Sequence, residues 1–182
     1  MTENFLQISQ AIDPKFCTKF CEWFRCTSNI YTDLLEKFDD QPFHENEMAG
    51  VSLILSGAVR ANLPAIMEWP VDKSGKPHGR SDLWVHVEET DCWFEFKRAA
   101  WNPNASKWGL SYSLDAAIYS AKEMTFLSGE MGFAGVIAAT DNLVDTRREI
   151  YMNFCKEVDF AYRIGPDDNR GVYIYLKVVE QN

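Results

Sequence analysis

Apolar residues recur along this chain with two different periods, and the switches between them divide it into elements. Asp13-Pro14 is a helix start, an N-cap followed by proline at the first helical position. Phe16, Phe20 and Trp23/Phe24 then repeat at helical spacing. A second helical segment is predicted from about Ser28 to Phe38, stopped at Asp39-Asp40-Gln41-Pro42 because the residue before a proline is pushed out of helical geometry. A third runs from about Glu45 to Asn62, with Met48, Val51, Leu55, Ala58 and Val59 as its apolar stripe, and ends at Leu63-Pro64. Ala65 to Val71 reads as a short strand containing Glu68, and Lys73-Ser74-Gly75-Lys76-Pro77 as a turn. Beyond a hairpin at 79–97 and a loop from Trp101 to Gly109, the pattern predicts a helix over Ser111–Leu127 with Leu114, Ala117, Ile118, Ala121 and Met124 inward. Gly132–Thr140 is an unbroken apolar run, as a strand covered on both faces requires. A helix over Asp145–Tyr162 and a strand over Val172–Val179 complete the series. Helices, a three-strand antiparallel meander, then helix, strand, helix, strand predict an α/β sandwich on a mixed central sheet. One domain accommodates all 182 residues, with 1–40 as an N-terminal helical extension and 45–180 as the core.

The hairpin carries the chemistry. Gly79-Arg80-Ser81-Asp82-Leu83-Trp84-Val85-His86-Val87 is followed, after a short acidic turn, by Cys92-Trp93-Phe94-Glu95-Phe96-Lys97. Side chains on a strand alternate faces, so Asp82, Trp84 and His86 share one face and Leu83, Val85 and Val87 the other. Glu95 and Lys97 likewise point the same way as Trp93. Pairing Val87 with Cys92, or Glu88 with Asp91, sets Asp82 opposite Lys97 and gathers Asp82, Glu95 and Lys97 on one patch. A loop of odd length would send Asp82 to the far face. Charges inside apolar strands are unfavourable unless they are paired or bind a metal, and this trio therefore suggests a metal-dependent reaction site.

Asp82 followed by Glu95-Phe96-Lys97 resembles the PD-(D/E)xK nuclease superfamily, whose members share the restriction-endonuclease-like fold. They carry an aspartate on one strand and a (D/E)xK triplet on the next, and many carry a further glutamate on a preceding helix. The resemblance extends from about Glu45 to the end of the last strand, with Ser81 standing where the family name has proline. It implies Mg²⁺- or Mn²⁺-dependent hydrolysis of DNA phosphodiester bonds. Asp82 and Glu95 would hold the ion with the Phe96 carbonyl, the oxygen donors that a hard cation takes. Lys97 would orient the attacking water or stabilise charge on the phosphate. Glu47 would be the helical acid, chosen because it adjoins Met48 and Val51, with Glu45 in reserve. Both glutamates are equally explained as first-turn acids that favour the helix dipole.

Charge and composition change the picture only in part. The net charge of −9 argues against a generic nucleic-acid coat. The acidity is uneven: residues 1–50 hold four Lys/Arg against nine Asp/Glu, whereas residues 70–110 hold six of each. A bound divalent ion would make the second region net positive and permit DNA binding. Arg98, Lys107, Trp101 and Trp108 form an aromatic-basic loop after the triplet, a mix that suits base stacking and phosphate contact but equally suits aromatic anchors with snorkelling basic tips. Arg80, beside His78, is a further candidate phosphate contact. His86 is either a ligand or a polar hairpin-end histidine. Cys17, Cys21 and Cys26 lack a second pair at zinc-ligand spacing and read as small buried hydrophobes in a reducing compartment. No membrane span and no signal peptide is visible, so a cytoplasmic protein is expected. Cutting both strands of a duplex takes two sites unless one acts twice, so a homodimer or larger complex is expected with it. The alternative is a catalytically idle protein of the same fold that serves as a binding or regulatory subunit. A sugar- or nucleotide-acting hydrolase on another α/β fold lacks support, since there is no Gly-rich phosphate loop and no Gly-x-Ser-x-Gly elbow.

Overall fold

A computed structural model describes residues 5–8, 12–73, 76–99, 107–140, 145–166 and 170–180. Seven strands form one mixed sheet: β1 (Phe5–Ile8), β2 (Ala65–Lys73), β3 (Lys76–Val87), β4 (Thr90–Arg98), β5 (Met131–Ala139), β6 (Phe160–Ile164) and β7 (Val172–Val179). Their order is β1-β6-β7-β5-β4-β3-β2. Among the described residues only β4 and β5 run parallel, and helix α4 (Lys107–Lys122) lies in the crossover that a parallel pair requires. Every residue of β5 from Gly132 to Ala139 is buried, as its unbroken apolar sequence predicts.

One face of the sheet is covered by α1 (Pro14–Phe38) and α3 (Glu47–Arg60), with the short α2 (Pro42–Glu45) leading into the latter. Asp13 Oδ1 caps α1 by accepting from Lys15 N at 2.8 Å and Phe16 N at 3.2 Å. Phe16, Phe20, Trp23 and Phe24 then pack into one core with Phe94, Phe133 and Phe160. Burying each such ring stabilises the fold by about 1.5–3 kcal/mol. Residues 14–38 are therefore part of the central core rather than an appendage to it.

The two helical segments expected over residues 13–38 are a single helix. Thr27 and Ser28 do not break it, because they are buried where α3 crosses. The Thr27 hydroxyl returns to Trp23 O at 3.1 Å, and Gly57 sits so close that a Cβ there would lie 1.9 Å from Thr27 Oγ1. Trp23 Nε1 donates to Ile54 O at 2.7 Å and locks the same crossing. The stripe read for α3 is also corrected. Gly50, Val51, Leu53, Ile54, Gly57 and Ala58 are buried, while Met48 and Val59 are 59% and 58% exposed. α3 is apolar almost all round, so periodicity could not choose its buried face, and the small residues that admit α1 chose it instead.

α4 and α5 (Asp145–Phe154) cover the other face through Leu110, Leu114, Ala117, Ala121, Tyr151 and Phe154. α5 is shorter than the helix expected over 145–162, which instead gives way to a 3-10 turn at Cys155–Glu157 and then to β6. β6 and its edge partner β1 are additions to the expected order. No helix among the described residues is long and apolar enough to cross a membrane.

Candidate active site

β3 pairs with β4 over only part of its length. The ladder runs from Val87↔Thr90 to Leu83↔Phe94, while residues 79–81 of β3 remain paired with β2. β4 meanwhile stays paired with β5 as far as Arg98. The β2–β3 arm thus parts from β4 beyond Leu83 and leaves a fork. Side chains take over the hydrogen bonding at that point. Buried Ser81 places its hydroxyl 2.8 Å from Leu83 O and 3.2 Å from Phe94 O, and Phe96 N donates to Asp82 Oδ2 at 2.7 Å.

The observed register differs by two residues from the expected one. The turn is Glu88-Glu89, with Glu88 in the left-handed region at φ 55°, so the strands close earlier than a Cys92 or Asp91 pairing would allow. Continuing the register past Leu83 puts Asp82 beside Glu95, not opposite Lys97. The loop remains even in length, so Asp82, Glu95 and Lys97 keep a common face. Trp84 and Trp93 lie on it too, with ring centroids 6.4 Å apart, and Trp93 packs into the core beneath α4.

Each charged group has a definite partner. Glu95 is 5% exposed at its side chain and accepts from Lys73 Nζ at 2.7 Å. Lys97 Nζ lies 3.5 Å from Glu47 Oε1 and donates to Phe96 O at 2.6 Å. Glu47 Oε2 accepts from Arg98 N at 2.9 Å, and Arg98 Nη1 donates to Glu45 O at 2.9 Å. Glu47 is positioned by Asn46, whose Oδ1 caps α3 through Ala49 N at 2.8 Å. Glu47 rather than Glu45 therefore faces the triplet, although its neighbour Met48 is exposed and not part of a buried stripe. Lys97 sits between Glu47 and a carbonyl, not between Asp82 and Glu95.

The carboxylates are electrostatically loaded. Burial pushes the Glu95 carboxyl above the usual range, and the Asp82 charge adds to this, while Lys73 and Lys97 oppose it. Burial likewise raises Asp82, and Glu47 adds to the rise, whereas the Phe96 N–H and the charges of Lys97 and Lys73 lower it. Two desolvated carboxylates held close together form an arrangement that a cation relieves. Among the described residues, no donor reaches Asp82 Oδ1 or Glu95 Oε2. Those two oxygens and the Phe96 carbonyl suit a hard divalent ion that keeps several waters. No set of three or more His, Cys, Asp or Glu side chains among the described residues converges as a ready-made metal cage.

Lys73 is the residue that the sequence pattern concealed, because Lys73-Ser74-Gly75-Lys76-Pro77 reads as an exposed turn. Strand β2 instead continues to Lys73. The available signal was Gly79, which lies beneath its stem. The remaining candidates are placed as follows. Arg80 is exposed and pairs with Glu68 at 3.2 Å. His86 Nδ1 lies 2.7 Å from Asp91 Oδ1 across the hairpin, as a hairpin-end histidine does. The side chains of Lys107, Trp108 and His78, and residue Trp101, lie outside the described residues. Cys17 and Cys26 pack against the core, and all five cysteines are free thiols.

Compared with protein-family models, with curated proteins and with solved structures, the chain finds no match in any of the three. Fold and site together define an α/β protein whose seven-stranded mixed sheet carries a partly buried carboxylate–lysine cluster at a fork between two strands.

Proposed function

We propose that the chain is a Mg²⁺- or Mn²⁺-dependent nuclease of PD-(D/E)xK type, on a restriction-endonuclease-like fold, acting on DNA. The observation that carries the reading is the convergence of half-buried Asp82 and buried Glu95, on diverging strands, beside Lys97. When bound, the ion would polarise the scissile phosphate and lower the pKa of a coordinated water. Asp82, Glu95 and the Phe96 carbonyl would hold it. Lys97, steered by Glu47, would orient the attacking water or meet charge developing on the phosphate. Arg98 acts as a positioning residue, since it fastens the start of α3 to β4. Arg80 is exposed and free to exchange Glu68 for phosphate, with Lys107 and Trp108 as further nucleic-acid contacts.

A catalytically idle protein of the same fold is the second reading. It is favoured by the lysine already seated on Glu95. The deciding experiment incubates purified protein and Lys97→Ala with linear duplex, nicked circular and single-stranded DNA in Mg²⁺, Mn²⁺ or EDTA. Metal-dependent cleavage that Lys97→Ala loses supports the nuclease. Absence of cleavage on all three substrates with either metal moves the reading to the idle scaffold.

A further inference from the structure

Lys73 is placed with more care than a stray surface cation would be. Its ammonium bonds Glu95 Oε1 at 2.7 Å, and the two side chains are only 14% and 5% exposed. Its stem crosses Gly79, where a Cβ would lie 2.4 Å from Lys73 Cγ and 2.6 Å from Cδ. Only glycine leaves this path open. The strand end that carries Lys73 is fastened to the residues after α4, by Thr125 N donating to Asp72 O at 3.0 Å and by a β-bridge between Lys73 and Met124.

We propose that Lys73 is a tethered counter-ion that holds the Glu95 carboxylate in the metal-free protein and is ejected when a divalent cation binds. This rests on the metal-site reading of Asp82 and Glu95. A lysine ammonium is a compact point charge on a flexible stem, able to neutralise a carboxylate and then rotate away. With a divalent cation on Glu95 Oε2, an ammonium left on Oε1 of the same carboxylate would stand within a few ångströms of it, two positive charges in a poorly solvated site. The fork between β3 and β4 gives the released ammonium a route out. The device keeps two desolvated carboxylates folded in place without metal, and it makes metal uptake an exchange of cations.

The test is amine-reactive labelling of the full chain, read at each lysine by mass spectrometry, without metal and with saturating Mn²⁺. Calorimetric Mn²⁺ titration is run on the same protein, on Asp82→Asn and on Lys73→Gln. Exposed Lys37 serves as the reference. Lys73 is expected to label at least fivefold more slowly than Lys37 without metal, to rise several-fold with Mn²⁺, and to ignore Mn²⁺ in Asp82→Asn. Lys73→Gln is expected to bind Mn²⁺ about tenfold more tightly than the wild type. Mn²⁺ binding that depends on Asp82 while Lys73 stays protected overturns the exchange alone, as does unchanged or weaker binding by Lys73→Gln. Failure of both the wild type and Lys73→Gln to bind Mn²⁺ overturns the metal-site reading and the exchange with it. Metal uptake with release of Lys73 but no cleavage of DNA rejects only the nuclease reading.

Discussion

The backbone N–H of Arg98 donates to Glu47 Oε2 at 2.9 Å, joining residues 51 apart in the chain. One side chain thereby fixes the start of α3 to the end of β4 while its other oxygen faces Lys97. These two tasks separate by substitution. Glu47→Gln keeps an acceptor for Arg98 N but removes the charge beside Lys97. It is expected to melt within about 2 °C of the wild type while losing at least about tenfold in metal-dependent cleavage, a loss in the range of a mispositioned general acid-base or orienting group. Glu47→Ala removes the acceptor as well, and a further fall of about 2–4 °C is expected, equivalent to about 1 kcal/mol at this partly exposed position. Equal melting of the two variants would show that the Arg98 bond contributes nothing to stability.

Asp82 and Glu95 make stability depend on pH in a direction opposite to that of an ordinary surface carboxylate. Burial raises both in the folded protein. The folded state therefore binds more protons than the unfolded one, and stability falls as pH rises from their unfolded values, near 4, through the raised folded ones. Asp82→Asn still accepts from Phe96 N but removes one of the two charges. Without metal it is expected to melt about 2–4 °C above the wild type at pH 7, with the gain vanishing near pH 4. With Mn²⁺ the order is expected to invert, because only the wild type gains stability from the ion. Differential scanning calorimetry across pH, with and without Mn²⁺, checks both signs.

Lys97 is 31% exposed and pairs with Glu47, which is 38% exposed, at 3.5 Å. A pair so open to water contributes at most about 1 kcal/mol. Lys97→Ala is expected to keep its melting temperature within about 4 °C and to lose about 10²–10³ in cleavage rate, the scale of one transition-state donor. A protein that fails to fold would overturn the assignment of Lys97 to the reaction.

Gly57 decides how closely α3 approaches α1. A Cβ there would meet Thr27 Oγ1 at 1.9 Å and Thr27 N at 2.8 Å, and the backbone atom cannot step aside. Gly57→Ala is expected to destabilise the protein by about 2–3 kcal/mol, the upper part of the range for overpacking. Because Glu47 opens the same helix, its effect should spread to the site and weaken Mn²⁺-dependent stabilisation as well. Denaturant unfolding with and without Mn²⁺ measures both, and a Gly57→Ala protein of wild-type stability would mean that the helices do not cross at this point.

Much of the site was readable along the chain because strand alternation is local. Period two assigned Asp82, Glu95 and Lys97 to a common face, and any even turn preserves that assignment. The register itself was not readable. It depends on the left-handed backbone at Glu88, a choice between neighbouring acidic turn residues that alternation alone does not rank. The apolar neighbours that point to Glu47 as the helical acid divide in the structure: Val51 is buried, but Met48 is not. In an almost wholly apolar helix, the partner's shape chooses the buried face, and here Thr27 against Gly57 made the choice. β6 is not legible along the chain because five residues, four of them apolar, continue a helical pattern as readily as they begin a strand.

By itself, the sequence determined the element order of the meander, the buried β5, the capped start of α1 and the shared face of Asp82, Glu95 and Lys97. These follow from backbone sterics and side-chain periodicity within a few residues. Tertiary structure alone decided that β3 leaves β4 at Leu83, that Glu47 reaches Lys97, and that Lys73 turns inward onto Glu95. Each of those joins residues far apart in the chain, where the outcome rests on which surfaces exclude water together and which buried charge finds a partner.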